Sequence, residues 1–125
     1  MTEYSKVLES LKKMFKKFRW KILNVDTYEN SFMMRVYNDF ADNTFFIHVD
    51  YNQKIVDIAF AKGKSSEFYG VNSLQYKMPK NLKNFIYRKI IFGGFFTDMI
   101  AKHYPRLIKE EYREQEKKRL EKELV

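Results

Sequence analysis

Residues 21–28 and 32–38 alternate polar and apolar side chains, and the pattern returns between 43 and 61. Few folds tolerate this. Side chains on a strand point to opposite faces in turn, so a one-residue slip moves a whole apolar set to the wrong side of a sheet. With a turn centred on Glu29-Asn30, Leu23 falls opposite Val36, Val25 opposite Met34 and Thr27 opposite Phe32. With a second turn centred on Asn52-Gln53, Phe45 meets Phe60, Ile47 meets Ile58 and Val49 meets Val56. Each hairpin yields one consistent apolar face, and residues 21–61 therefore predict a four-stranded antiparallel meander with one buried side. Asp26, Asp50 and Asp57 fall on the other side.

The apolar side of such a sheet needs a cover. Tyr4, Val7, Leu8, Leu11, Met14, Phe15 and Phe18 recur at helical steps and form the stripe of an amphipathic helix that Thr2 can cap. Lys6, Lys13 and Lys17 lie opposite the stripe, and Lys12, Lys16 and Arg19 flank it. Residues 62–80 read as loop, punctuated by Gly63, Gly70 and Pro79, with Phe68, Tyr69, Leu74 and Tyr76 as anchors and room for a short strand. Asn81 is placed to cap a second helix with Leu82, Phe85, Ile86 and Ile90 facing inward. Gly93-Gly94 is expected to end or kink it. A third helix should cover about 95–104, and Pro105 suits the first turn of another. Residues 106–125 are highly charged, with Glu114–Lys118, Lys117–Glu121 and Arg119–Glu123 four apart, the spacing of helix-stabilising pairs.

These elements predict an α+β fold: an N-terminal helix, a four-stranded antiparallel meander, and C-terminal helices packed on one sheet face as a two-layer sandwich. The expected organisation is one domain over 1–125, with 1–109 as compact core and 110–125 as a charged helical tail. The most apolar run, Ile90 to Phe96, is far shorter than the roughly 20 residues of a membrane span and reads as buried core. No secretory leader is visible, and the absence of cysteine excludes disulfides and thiolate metal sites; both fit a cytoplasmic protein.

Motifs for chemistry are sparse. The derived register makes His48 and Asp57 cross-strand neighbours, a pairing that general base catalysis could use. No cysteine and no nucleophile-elbow serine accompanies them. Such a pair is more often a simple cross-strand contact. Asp39 and Asp42 lack the ligand series and central glycine of a calcium loop. Asp50 and Asp57 would sit on neighbouring strands, but the chain after Asp57 reads Ile58-Ala59, without the lysine of a nuclease-type site. Gly93-Gly94 lies between phenylalanines in a helical pattern, which suits close packing better than a phosphate cradle. The expectation is no catalytic residue, no metal and no cofactor, with a metal-dependent nuclease as a weaker alternative.

Charge is more informative. The net charge of +8 divides unevenly: residues 1–21 carry seven Lys/Arg against two Glu, residues 22–61 two against six acids, and residues 62–109 ten against two. An acidic middle between basic flanks argues against a uniform compositional bias, although a lysine-rich helix face is often merely solvated. In YKMPKNLKNFIYRK, residues 76–89, cations surround Tyr76, Phe85 and Tyr87. Phosphates want cations spread along a surface, and unpaired bases want exposed aromatic faces. The candidate contacts are Lys80, Lys83, Tyr87, Arg88 and Lys89, with Lys13, Lys16, Lys17 and Arg19 in support if the first helix lies alongside.

The leading expectation is a non-enzymatic module that binds nucleic acid or a nucleoprotein complex. The alternative is an adaptor or inhibitor that grips a protein through the charged C-terminal helix and the polar sheet face. A richness in Lys, Asn, Ile, Phe and Tyr also suits a phage or mobile-element product. Membrane docking through the first helix is disfavoured, because the sheet requires that helix as its cover.

Overall fold

The structure, a computed structural model, describes residues 4–64, 72–103 and 105–123, the side chains of 105–112 and 123 excepted. Helix α1 (Ser5–Lys17) precedes strands β1 (Lys21–Thr27), β2 (Ser31–Asn38), β3 (Asn43–Asp50), β4 (Ile55–Lys62) and β5 (Asn72–Lys77). Helix α2 (Leu82–Ile86) runs into a π-helical turn (Tyr87–Ile91), followed by α3 (Gly94–His103) and α4 (Pro105–Glu123). The fold is α+β, with one antiparallel sheet in the order β1-β2-β3-β4-β5. The chain divides into two compact units, Met1–Phe95 and Phe96–Val125. No described helix is long and apolar enough to cross a membrane.

The hairpin registers follow the alternation. Val25 faces Met34 and Thr27 faces Phe32, while Phe45–Phe60, Ile47–Ile58 and Val49–Val56 pair across β3 and β4. One pair differs. A bulge between Ile22 and Asn24 places Ile22, not Leu23, opposite Val36; an extra residue on one strand shifts everything beyond it by one position. Residues 72–77, within a stretch read as loop with room for a short strand, form that strand, β5, as a fifth member of the sheet, with Leu74 opposite Ile58 and Tyr76 opposite Val56. Thr2, Phe68, Tyr69 and Gly70 lie outside the described residues.

The core face carries Phe32, Met34, Val36, Phe45, Ile47, Val49, Val56 and Ile58, all buried. Phe45 is 1% exposed, and its ring lies 5.8 Å from Trp20, 5.4 Å from Phe60 and 5.5 Å from Phe95. Tyr4, at the head of α1, packs on Phe32 at 5.3 Å and donates its hydroxyl to the carbonyl of Tyr28. At the other edge, Tyr76 of β5 meets Phe85 of α2 edge-on at 5.0 Å. The opposite face is less polar than the alternation implied: Tyr37, Thr44, Phe46 and Ala59 are buried there. Phe46 lies beside Ala59, whose small side chain leaves space, and the Thr44 hydroxyl donates to the Gly63 carbonyl at 2.5 Å.

Aspartates make the sheet's turns. Asp50 Oδ1 accepts the backbone N–H groups of Asn52 and Gln53 at 2.9 and 3.0 Å, closing the β3–β4 turn. Asp42 accepts the Tyr37 hydroxyl at 2.5 Å. That hydrogen bond, followed by burial and the charges of Asp42 and Asp39, pushes the Tyr37 phenol up to about 12 from its usual 10.0. The folded state therefore holds this proton more tightly than the unfolded chain does. The associated stability is complete below pH 10 and is lost as pH rises towards about 12. An ultraviolet titration that subtracts the Tyr37→Phe protein should find this phenol ionising well above its usual 10.0, and Asp42→Asn should lower its midpoint.

Helix α1 ends in a Schellman motif. Arg19 N–H donates to the Lys16 carbonyl at 3.1 Å and Trp20 N–H to the Phe15 carbonyl at 2.8 Å, with the Phe15 and Trp20 rings 5.9 Å apart. The motif requires a left-handed residue, and Arg19 fills it at φ 64°. Glycine takes that conformation without Cβ crowding. Arg19→Gly is expected to raise stability by about 1 kcal/mol, seen as a higher urea midpoint at an unchanged slope.

The four helices fall close to their expected limits, and the Asn81 cap forms: its Oδ1 accepts the Asn84 N–H at 3.1 Å. Along α4, among the described residues, the expected Glu114–Lys118 and Lys117–Glu121 pairs are not made, and the Glu123 side chain of the third pair lies outside the described residues. Arg119 instead approaches Glu116 at 3.9 Å, a contact between exposed groups that contributes little.

Candidate functional site

Two helices bring the basic residues together. The stripe of α1 buries Leu8, Leu11, Met14 and Phe15, which leaves Lys13, Lys16 and Lys17 exposed. In α2, Leu82, Phe85 and Ile86 are buried, which leaves Lys83 and Asn84 exposed. Between the two helices runs an open groove of ≈ 340 Å³, lined by Lys13, Met14, Lys17 and Phe18 on one side and by Lys83, Asn84 and Tyr87 on the other. A second groove of ≈ 580 Å³ lies across Asn84 and Tyr87, which line both, and is completed by Pro79, Lys80, Asn81 and Arg88.

Lys13, Lys17, Lys80, Lys83, Tyr87 and Arg88 thus share one continuous surface. Lys16, Arg19 and Lys89 line neither groove. Lys89 is half-buried and sits over the rings of Tyr76 and Phe85, 5.3 and 5.7 Å from their centroids. This cation–π placement ties it to the core of the β5–α2 edge.

Among the described residues no carboxylate lines either groove. The sequence carries no acid between Glu67 and Asp98, and Glu9 of α1 is taken by Lys12 at 3.2 Å. Among the described residues, the aspartates of the middle segment have partners of their own. Asp39 pairs with Lys21 at 2.9 Å, Asp26 accepts from Asn24 at 3.0 Å, and Asp42 and Asp50 hold the turns described above. The groove cations have no such neutralising neighbour among the described residues, so their fields add at the surface.

Two aromatic residues of this surface were expected in the core. Phe18, placed by spacing on the buried stripe of α1, is 41% exposed. It sits at the helix C-cap, where the chain leaves helical geometry, and its ring lies 5.5 Å from Tyr87. Phe92, within a run read as buried, is 78% exposed. Here the cause is the π-turn. Phe92 N–H donates to the Tyr87 carbonyl at 2.9 Å, a five-residue closure that draws residues 87 and 92 to 6.4 Å between ring centroids. Gly93 then turns the chain at φ 87°, and a Cβ at position 94 would stand 2.9 Å from the Arg88 carbonyl oxygen. Gly94 is required for that close approach. The paired glycines were a visible signal of a break after Ile91; the π-turn they complete was not.

His48 Nδ1 and Asp57 Oδ2 are 3.5 Å apart and half-exposed on the sheet. Among the described residues no three of His, Asp and Glu come together in a way that could hold a metal. Compared with known proteins, the chain matches no family model, no curated protein and no solved structure.

Proposed function

We propose that the chain is a small non-enzymatic binding protein that engages nucleic acid or a nucleoprotein complex in the cytoplasm, mainly through phosphate contacts along the paired grooves. In this reading the sheet is the scaffold and α1 and α2 lie as a layer on one of its faces, a two-layer arrangement within Met1–Phe95 that presents the grooves outward. The supporting observation is the meeting of Lys13 and Lys17 from α1 with Lys80, Lys83 and Arg88 from the α2 region on a surface where, among the described residues, no carboxylate lines either groove. Cations brought together from distant parts of the chain suit a phosphate backbone, which carries a regularly repeated negative charge. The test is a titration of random-sequence oligonucleotides at low and moderate salt. Affinity should fall steeply as salt rises, and a triple Lys80→Glu, Lys83→Glu, Arg88→Glu protein should bind far less. Absence of binding at low salt overturns the reading.

One observation favours a protein partner instead. Every described side chain of α4 from Arg113 to Lys122 is exposed, Leu120 to 51%. A helix so unburied suits an adaptor or inhibitor that completes its packing on another protein. That reading requires a complex that withstands both nuclease and the salt that dissociates nucleic acid.

A further inference from the structure

Phe18 and Tyr87, which line the grooves, belong to an aromatic row that phosphate binding does not explain. Phe18, Tyr87 and Phe92 stand in sequence along the surface, 5.5 and 6.4 Å between successive centroids, with ring planes inclined at 48° and 33°. Rings of this size are normally folded inward, because burial of a phenylalanine side chain stabilises by about 1.5–3 kcal/mol. Here the two outer members are exposed, and the local backbone is built to keep them so. Phe18 occupies the C-cap of a Schellman motif, and Phe92 caps the π-turn that Gly93 and Gly94 terminate. Phe92 is 78% exposed and Phe18 41% exposed, so both outer rings keep accessible surface.

Cations edge the row. Lys17 Nζ lies 5.8 Å from the Phe18 centroid, and Lys13 and Lys83 line the groove that Phe18 and Tyr87 share. Tyr87 also borders the groove of Lys80 and Arg88. Positive groups that follow a backbone, alternating with aromatic faces that accept bases, are what a single strand needs and a duplex cannot use, since duplex bases are already stacked on each other. Charge alone does not discriminate between the two.

We infer that the Phe18–Tyr87–Phe92 row is a stacking platform for unpaired bases and that the ligand is single-stranded nucleic acid, held by its phosphates in the flanking grooves. This rests on the phosphate-binding reading above and narrows it. Every base has a π-face, so the platform tolerates any sequence.

The test compares oligo-dT, oligo-U, a random DNA duplex and heparin, the last a polyanion without bases, against the full chain and its Phe92→Ala and Phe18→Ala variants. The wild type should bind both single strands more tightly than duplex or heparin. Phe92→Ala should weaken single-strand binding roughly 5- to 100-fold, the range seen on removal of one stacking ring, and should leave heparin binding within about twofold. Phe92 is mostly exposed, so its loss leaves the core intact; Phe18→Ala provides an independent ring in case one substitution disturbs its neighbours. Equal affinity for single strand, duplex and heparin overturns the platform and leaves the phosphate reading standing, as does a preference that survives both substitutions. Failure to bind any of the four overturns both.

Discussion

The Lys17→Glu, Lys83→Glu double variant is expected to bind nucleic acid roughly 100-fold more weakly than the wild type near 0.1 M salt, with no change in melting temperature. Lys17 and Lys83 both line the groove between α1 and α2, one from each helix. If the five groove cations each neutralise one phosphate, the logarithm of affinity for a single strand should fall against the logarithm of salt with a slope of roughly −3.5. That is about a 100-fold loss between roughly 50 and 200 mM. The double reversal removes two of the five contacts, so the slope should flatten to about −2, and two introduced carboxylates repel the phosphates that remain. Both lysines are exposed and neither has an ion pair among the described residues, so stability should move by no more than about 0.5 kcal/mol. Lys16→Glu supplies the comparison. It alters net charge by the same amount as Lys17→Glu alone, from a position outside either groove, and should cost much less affinity than that single change. Equal losses for Lys16 and Lys17 would mean that a diffuse positive charge, and no particular groove, attracts the ligand.

The parts of this molecule that sequence made legible are those governed by local periodicity. The β3–β4 register was recoverable because Phe45, Ile47 and Val49 meet Phe60, Ile58 and Val56 in one arrangement only, and any slip exposes all six. The cap at Asn81 was recoverable because its chemistry involves residues three apart. Leu23 was misplaced because a bulge breaks the period without altering composition. β5 reads as loop because an edge strand with Leu74 and Tyr76 as its apolar residues carries little alternation. The errors at Phe18 and Phe92 are of another kind. Both are apolar residues at the end of apolar patterns, and the backbone geometry that turns them outward arises from the helix ends themselves. The meeting of α1 cations with those of α2 depends on contacts between segments some seventy residues apart, and no local pattern encodes it.

Phe45→Ala is expected to destabilise the sheet-bearing unit by about 3–5 kcal/mol, the largest effect of any single substitution considered. The cost has two parts, the lost transfer of a large apolar ring out of water and the cavity left where neighbours cannot collapse. Collapse is hindered here. The ring is contacted from three directions, by Trp20 at the end of α1, by Phe60 on β4 and by Phe95 at the start of α3, and each of these is anchored in its own element. Domains of this size retain about 5–15 kcal/mol of net stability, so the variant should unfold at a markedly lower denaturant concentration. Trp20 is the chain's single tryptophan and lies 5.8 Å from the Phe45 ring, which makes its fluorescence a direct reporter. The consequence should extend to the grooves. Trp20 packs on Phe15 and fixes the end of α1, and with it the position of Phe18 and Lys17 opposite Tyr87 and Lys83. Weaker nucleic-acid binding in the still-folded Phe45→Ala protein, together with an altered Trp20 emission, would show that the core sets the groove geometry. A loss under about 1.5 kcal/mol would mean that the three remaining rings repack around the gap, and that the core specifies the site less tightly than its contacts imply.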